Sequence, residues 1–296
     1  MNRQALLLIF LLAILGVAAA AALAGWQARG IPDTPELPSP QGPLRIVSLA
    51  PAVTETLFAI GAGELVVGRT EYCDYPAAAR SLPTVGTTLT PNYEAIVRLK
   101  PTLILGEATK DAPLEELDRI APTRLLPWLT LDDVLAGIRE TGQLSGHLPK
   151  AEAIAGEMSR RLKVQPPATG PRVLLAMDGT PGQLKEVWFL RQNCIHGACL
   201  NAAGGRNAVD DEVVGVAPVL SLERVIALDP DIVLILAARN LSEDERRQIV
   251  EDWKGLPMLT AVKNSRVRVL DGREYYINGP RILELIDKLQ FALRRE

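Results

Sequence analysis

The chain has 296 residues, 48% of them hydrophobic and 23% charged, with a formal net charge of -3; this balance suits a folded protein of one or two domains and excludes general disorder. Lys and Arg number 32 against 35 Asp and Glu, and no basic run carries interleaved aromatics, so nucleic acid is not an expected partner. Two histidines (His147, His196) and three cysteines (Cys73, Cys194, Cys199) are too few soft ligands for a multi-histidine metal cage or a zinc ribbon.

Residues 1–24 open with Arg3, continue through an uncharged apolar stretch from Ala5 to Val17 and end in Ala22-Leu23-Ala24 before Gly25. This is the layout of a secretory signal peptide with a small-residue cleavage site, and if uncleaved the same run is long enough to anchor the chain in a membrane. Either outcome puts the body in the periplasm or another extracytoplasmic space, touching the membrane only through this segment. No cysteine follows the apolar run, so no acylation site is expected. Residues 25–43, with Pro32, Pro35, Pro38, Pro40 and Pro43, read as an extended linker.

The body then alternates strand-like and helix-like runs. Arg45 to Leu49, Leu65 to Gly68 and Thr102 to Leu105 read as strands, and Thr54 to Ile60 and Tyr93 to Leu99 as helices. That alternation predicts parallel sheets flanked by helices. Pro149, followed by Ala151, Ile154, Ala155, Met158 and Leu162, marks a single helix over 149–165. It divides an N-terminal lobe, 44–148, from a C-terminal lobe, 170–296. The expected fold is α/β, two Rossmann-like lobes joined by one long helix.

An internal repeat supports the division. Val85 to Leu105 matches Val214 to Ile235 without a gap, a shift of 129 that carries Glu94 onto Glu223. Each copy reads as a Val-Gly turn, a helix N-cap (Thr90, Ser221), a Glu in the first turn, an apolar helix, a Pro-containing break and a buried strand. Arg45 to Ala50 corresponds likewise to Arg172 to Met177. Two similar lobes leave a cleft between them, a preferred place for small ligands.

These segments, with Cys73-Asp74-Tyr75-Pro76, Ala203 to Val209, and Gly279 to Ile282, together resemble the periplasmic substrate-binding proteins of ABC importers for cobalamin, ferric siderophores and heme. The resemblance covers essentially all of Leu44 to Arg294. It implies a shallow cleft holding a bulky metal chelate, with limited hinge motion and no resident cofactor. The partners it implies are an ABC permease with its ATPase, served by a monomeric carrier. Glu94 and Glu223 fall where the family docks on permease arginines; two carboxylates on separate lobes form a two-point electrostatic grip. Read without the resemblance, each is a Glu at the favourable end of a helix dipole.

Tyr72 falls on the family's cleft tyrosine, which places cobalamin first among the ligands. Where the cobalamin binders carry cleft tryptophans this chain has Thr88 or Leu89 in the first lobe and Ala217 in the second. Trp188, Tyr275 and Tyr276 are candidate platforms for a macrocycle. Arg281 could meet an acidic ligand group or tie a loop carbonyl. Trp128 and Trp253 are assigned to packing.

Cys194 and Cys199 could close a small disulfide loop or remain unbonded, with Cys73 a buried residue or free thiol. His196 between them is read as part of a solvent loop. The Gly-Gly of Ala203 to Val209 and the segment Asp178 to Gly182 read as turns. Glu115-Glu116 and Glu243 to Arg247 read as solvated helix faces. No catalytic motif is found, so the chain is expected not to be an enzyme. The alternatives to a carrier are a membrane-tethered sensor or surface binding protein using the same cleft, and a cleft hydrolase.

Overall fold

The computed structural model describes residues 42–110, 112–177, 181–209 and 218–294. The signal-like segment, nearly all of the Pro-rich linker, Asp178 to Thr180 and Ala217 lie outside the described residues.

Short, continuously apolar runs need cover on both faces, the requirement of a buried parallel sheet. In the first lobe β1 (Ile46–Ser48), β2 (Val66–Arg69), β3 (Leu103–Glu107) and β4 (Thr123–Leu126) form such a sheet in the order β2-β1-β3-β4. Its helices are α1 (Pro51–Ala59), α2 (Tyr93–Leu99), α3 (Leu114–Asp118) and α4 (Leu131–Leu144). Next comes α5 (Leu148–Leu162), with Pro149 in its first turn and Ala151, Ala155, Met158 and Leu162 as its buried stripe.

The second lobe runs through β5 (Arg172–Met177), β6 (Glu186–Trp188), α6 (Ile195–Ala203), β7 (Arg206–Asn207), β8 (Val219–Ser221), α7 (Leu222–Leu228) and β9 (Ile232–Ala237). It continues through α8 (Glu243–Trp253), α9 (Thr260–Lys263) and β10 (Val267–Asp271) to α10 (Leu283–Leu293). Its parallel sheet has the order β10-β9-β5-β7, while β6 and β8 pair antiparallel. Exchanging β1 for β5, β2 for β7, β3 for β9 and β4 for β10 converts one order into the other, so the architecture is two α/β lobes built on one plan.

The repeat extends to the way each helix ends. Lys100 after α2 and Asp229 after α7 both adopt left-handed backbone, with φ of 49° and 40°, and a proline follows each. Such an end leaves the last helical carbonyls without intrahelical donors. An arginine at the start of the lobe's first strand supplies them. Arg45 Nη2 donates to the Leu99 carbonyl at 2.7 Å, and Arg172 Nη1 to that of Leu228 at 2.7 Å.

At the helix starts the lobes differ. Ser221 caps α7 as expected, its hydroxyl accepting from Arg224 N at 3.3 Å. The cap of α2 is Asn92, accepting from Ala95 N at 2.9 Å, and not Thr90. The Thr90 hydroxyl is occupied by Thr87 at 2.7 Å within the preceding turn, two residues too early to reach the helix.

Val47, Leu49, Ile96 and Ile104 anchor the first core, and Leu174, Ala176, Val233, Ile235 and Trp253 the second. Each buried Val, Leu or Ile among them contributes about 1.5 to 3 kcal/mol by burial. Among the described residues no helix is long and apolar enough to cross a membrane.

Candidate functional site

In a parallel sheet the loops that leave the strands' carboxyl ends form the ligand-facing edge. Here the two such edges meet. The segment after β10 reaches the first lobe at four places. Arg273, just beyond β10, donates from Nη2 to the Tyr72 carbonyl at 3.2 Å and pairs with Asp74 at 3.3 Å, both on the loop after β2. Trp128, after β4, donates from Nε1 to the Asn278 carbonyl at 2.7 Å. Gly279 lies against the start of α1, where an added Cβ would stand 3.5 Å from Ala52 Cα and O.

The strongest tie is ionic. Arg281 Nη2 and Nε donate to Glu55 Oε1 and Oε2 at 2.6 and 3.2 Å, with side-chain exposures of 17% and 3%. The guanidinium also lies 3.9 Å from the centroid of the Tyr75 ring, a cation–π contact. Burial raises the Glu55 carboxyl above its usual range, and Arg281 opposes that rise without cancelling it. Arg281 therefore neither meets a free acidic ligand group nor ties a loop carbonyl: its fork is spent on a buried carboxylate of the other lobe.

Other candidates divide between surface and interior. Tyr72 and Leu89 are exposed, at 54% and 64%, on the loop between β2 and α2. The Tyr72 ring lies 5.8 Å beneath the Arg273 guanidinium. Thr88 is held at the edge of the same sheet, its hydroxyl donating to the Leu49 carbonyl at 2.5 Å. Tyr275 is buried and is not an open platform. Tyr276 is partly buried, with its hydroxyl committed to the Leu236 carbonyl at 2.7 Å. Trp188 lies half exposed on β6, at the rim of a cavity of about 400 Å³ lined by second-lobe residues such as Met177, Leu184 and Trp253. Trp128 and Trp253 are buried in packing.

His196 is not in a solvent loop. It lies in the first turn of α6, buried, with Nε2 against the Tyr275 carbonyl at 2.6 Å and its ring 5.6 Å from that of Tyr276. Burial lowers its proton affinity against the pull of that carbonyl. Of the two alternatives for Cys194 and Cys199 the structure has the unbonded one: both are free thiols, as is Cys73. Five positions along a helix turn the side chains apart by roughly 140°. Cys194 Sγ instead donates to the Arg191 carbonyl at 2.9 Å, and Cys199 Sγ faces the Ile282 carbonyl at 3.8 Å. Burial holds both thiols protonated, pushing Cys199 up to about 12.

Glu94 and Glu223 occupy matching first-turn positions of α2 and α7. Each helix leads straight into the central strand of its sheet, so both N-termini lie at the carboxyl-end side. Glu94 is 90% exposed, with Arg98 only 3.8 Å away. Hydrogen bonding from Ser221 lowers the proton affinity of Glu223 and keeps it ionised.

Three residues at this edge escape sequence reasoning. Arg273 is the exposed cation beside Tyr72. Tyr75 stacks beneath Arg281. Glu107 ends β3 as a partly buried carboxyl whose proton affinity burial raises. Tyr75 carried an advance signal, as a member of the Cys73-Asp74-Tyr75-Pro76 segment.

Comparison with known proteins bears on this geometry. A family model described as periplasmic binding protein matches residues 46–274. The vitamin B12-binding protein of Pectobacterium atrosepticum is 31% identical over 204 residues, 65% of this chain and 71% of its own. A periplasmic heme-binding protein of Pseudomonas aeruginosa superposes with a TM-score of 0.67 at 26% identity, over 85% of this chain and 93% of its own. The periplasmic vitamin B12-binding protein of Vibrio cholerae does so at 0.58 and 26%, over 84% and 96%. A match of that extent, on two lobes built to one plan, establishes that the chain belongs to the periplasmic binding protein family.

Proposed function

We propose that this protein is the extracytoplasmic, monomeric substrate-binding component of an ABC importer. Its cargo is a metal-chelate nutrient, a corrinoid first and a heme or ferric siderophore next, held between the carboxyl ends of the two sheets. The observation that carries the reading is the facing of those two edges, with Tyr72 and Leu89 exposed on the first-lobe side. An exposed aromatic ring and an aliphatic side chain suit the flat apolar face of a macrocycle better than a small polar solute. The name of the Pectobacterium relative supports a corrinoid, and that of the Pseudomonas structure supports heme as the second choice.

Delivery runs through Glu94 and Glu223, two first-turn acidic residues on repeat-related helices that present a paired acidic surface to a basic permease. The interlobe ties at Arg281, Arg273 and Trp128 keep the lobes preformed, so capture needs little closure and release needs the permease to pull the lobes apart. Export follows from the signal-like segment 1–24.

Charge reversal tests the delivery step. The double variant Glu94→Arg, Glu223→Arg abolishes uptake of labelled cyanocobalamin by cells carrying the cognate permease, while the purified variant binds its cargo as before. Unchanged uptake refutes docking through these residues, and loss of binding relocates them to the cargo site.

A further inference from the structure

Folding alone gives no reason for a carboxyl at Glu107. Alternation along β3 fixes its side. A Cβ added to Gly106 would come within 3.2 Å of Leu49 Cβ and 3.0 Å of Leu125, so Gly106 faces the core that holds Ile104 and Leu49. Glu107 consequently shares the opposite face with Leu105. Leu105 is in register with Ser48, whose hydroxyl accepts from Thr54 of α1 at 2.7 Å. Glu107 thus stands at the carboxyl edge, on the face of α1, in register with Leu126 of β4. The strands and helix around it lead to Ala52 and Trp128, the places where Gly279 and Asn278 of the second lobe come in.

Among the described residues no hydrogen bond or ion pair reaches this carboxyl. A carboxyl taken partly out of water with nothing to compensate it is destabilising. Such a group at a ligand-facing edge marks a functional position.

Building on the cargo reading above, we propose that Glu107 sets cargo selectivity, its carboxyl receiving an N–H donor of a neutral, amide-bearing macrocycle and repelling cargo that carries carboxylates. A corrinoid's peripheral amides supply such donors; the two propionates of a heme supply the repelled charge. An unmet desolvated acceptor at a binding site is paired only by the ligand that brings its donor, so the wrong ligand is rejected strongly.

The test uses the full chain and two probes, cyanocobalamin and hemin, titrated by quenching of tryptophan fluorescence at pH 7.5. Wild type, Glu107→Gln and Glu107→Ala are compared. Wild type prefers cyanocobalamin, and in both variants the ratio of the cyanocobalamin Kd to the hemin Kd rises at least tenfold. The Gln variant, near in shape, unfolds at a temperature no lower than wild type, because a desolvated charge is removed. A ratio unchanged within twofold overturns the selectivity role and leaves the cargo reading intact. A Gln variant much less stable than wild type overturns it too, by showing a structural partner. Wild-type binding of hemin alone overturns the selectivity role and makes heme the cargo; binding of neither probe overturns the selectivity role and, within the cargo reading, the corrinoid and heme choices.

Discussion

Replacing Arg281 by Met removes the charge that holds Glu55 and little of the volume. Glu55 is 3% exposed, with Arg281 as its ion-pair partner, and Arg281 is itself only 17% exposed, so water cannot take over the bond in place. Breaking a buried pair from one side costs about 3 to 5 kcal/mol, because the remaining charge is stranded. For a folded body of this size that corresponds to a fall in Tm of roughly 10 °C. The cation–π contact with Tyr75, at 3.9 Å, adds about 0.5 to 2 kcal/mol at most.

The pH dependence identifies the cause. The folded-state pKa of Glu55 is raised above its ordinary value of 4.5 by burial and held down by Arg281. In Arg281→Met the restraint is gone and the pKa rises further. A carboxyl with a raised folded pKa penalises the native state when ionised, so stability falls as pH rises from the unfolded value through the folded one. The deficit of the variant against wild type is therefore largest at alkaline pH and shrinks on acidification toward the usual carboxylate range. Urea unfolding followed by circular dichroism at several pH values measures it. Adding Glu55→Gln to Arg281→Met recovers more than half of the loss, since an uncharged amide is left. A deficit below about 1 kcal/mol, one that does not change with pH, or strict additivity in the double-mutant cycle refutes the reasoning.

Lys100→Gly gains about 1 kcal/mol, because glycine adopts the left-handed backbone at that helix end without the side-chain penalty. Asp229→Gly gains nothing despite its similar φ, since the Asp229 carboxylate accepts from Thr260 N and Oγ1 at 2.7 and 2.8 Å; urea midpoints of the two variants decide the contrast. Alkylation of the unfolded, unreduced protein labels all three cysteines, and a mass short of three adducts contradicts the free thiols at Cys194 and Cys199. Glu245, capping α8 through Ser242 and paired with Arg239, titrates at about 2. Its contribution is present above the usual carboxylate range and lost as pH falls toward 2, so Glu245→Gln flattens the acid limb of the stability profile.

The two-lobe plan was legible because it repeats. A pattern of cap, first-turn Glu, apolar helix and proline break occurs twice at one spacing, and both copies fold to seven-residue helices ahead of central strands. Local chemistry was legible where the partner is near in sequence, as at Ser221. It misled at Thr90, where a nearer turn captured the hydroxyl, and left Cys194 and Cys199 undecided, because a short spacing says nothing about helical phase. The role of Arg281 was hidden because Glu55 lies 226 residues away, and only the assembled lobes bring them together. Glu107 reads in the sequence as the polar end of an apolar strand, and its lack of a partner among the described residues emerges only from the fold.

The central claim is that the two facing edges form a cleft for a single chelate macrocycle. Native mass spectrometry of the full chain with an equimolar mixture of cyanocobalamin, a cobinamide, hemin and several ferric siderophores tests it directly. One stoichiometric corrinoid adduct, weakened when Tyr72 is replaced by Ala, is the result the account predicts. A folded protein that retains none of these compounds contradicts it.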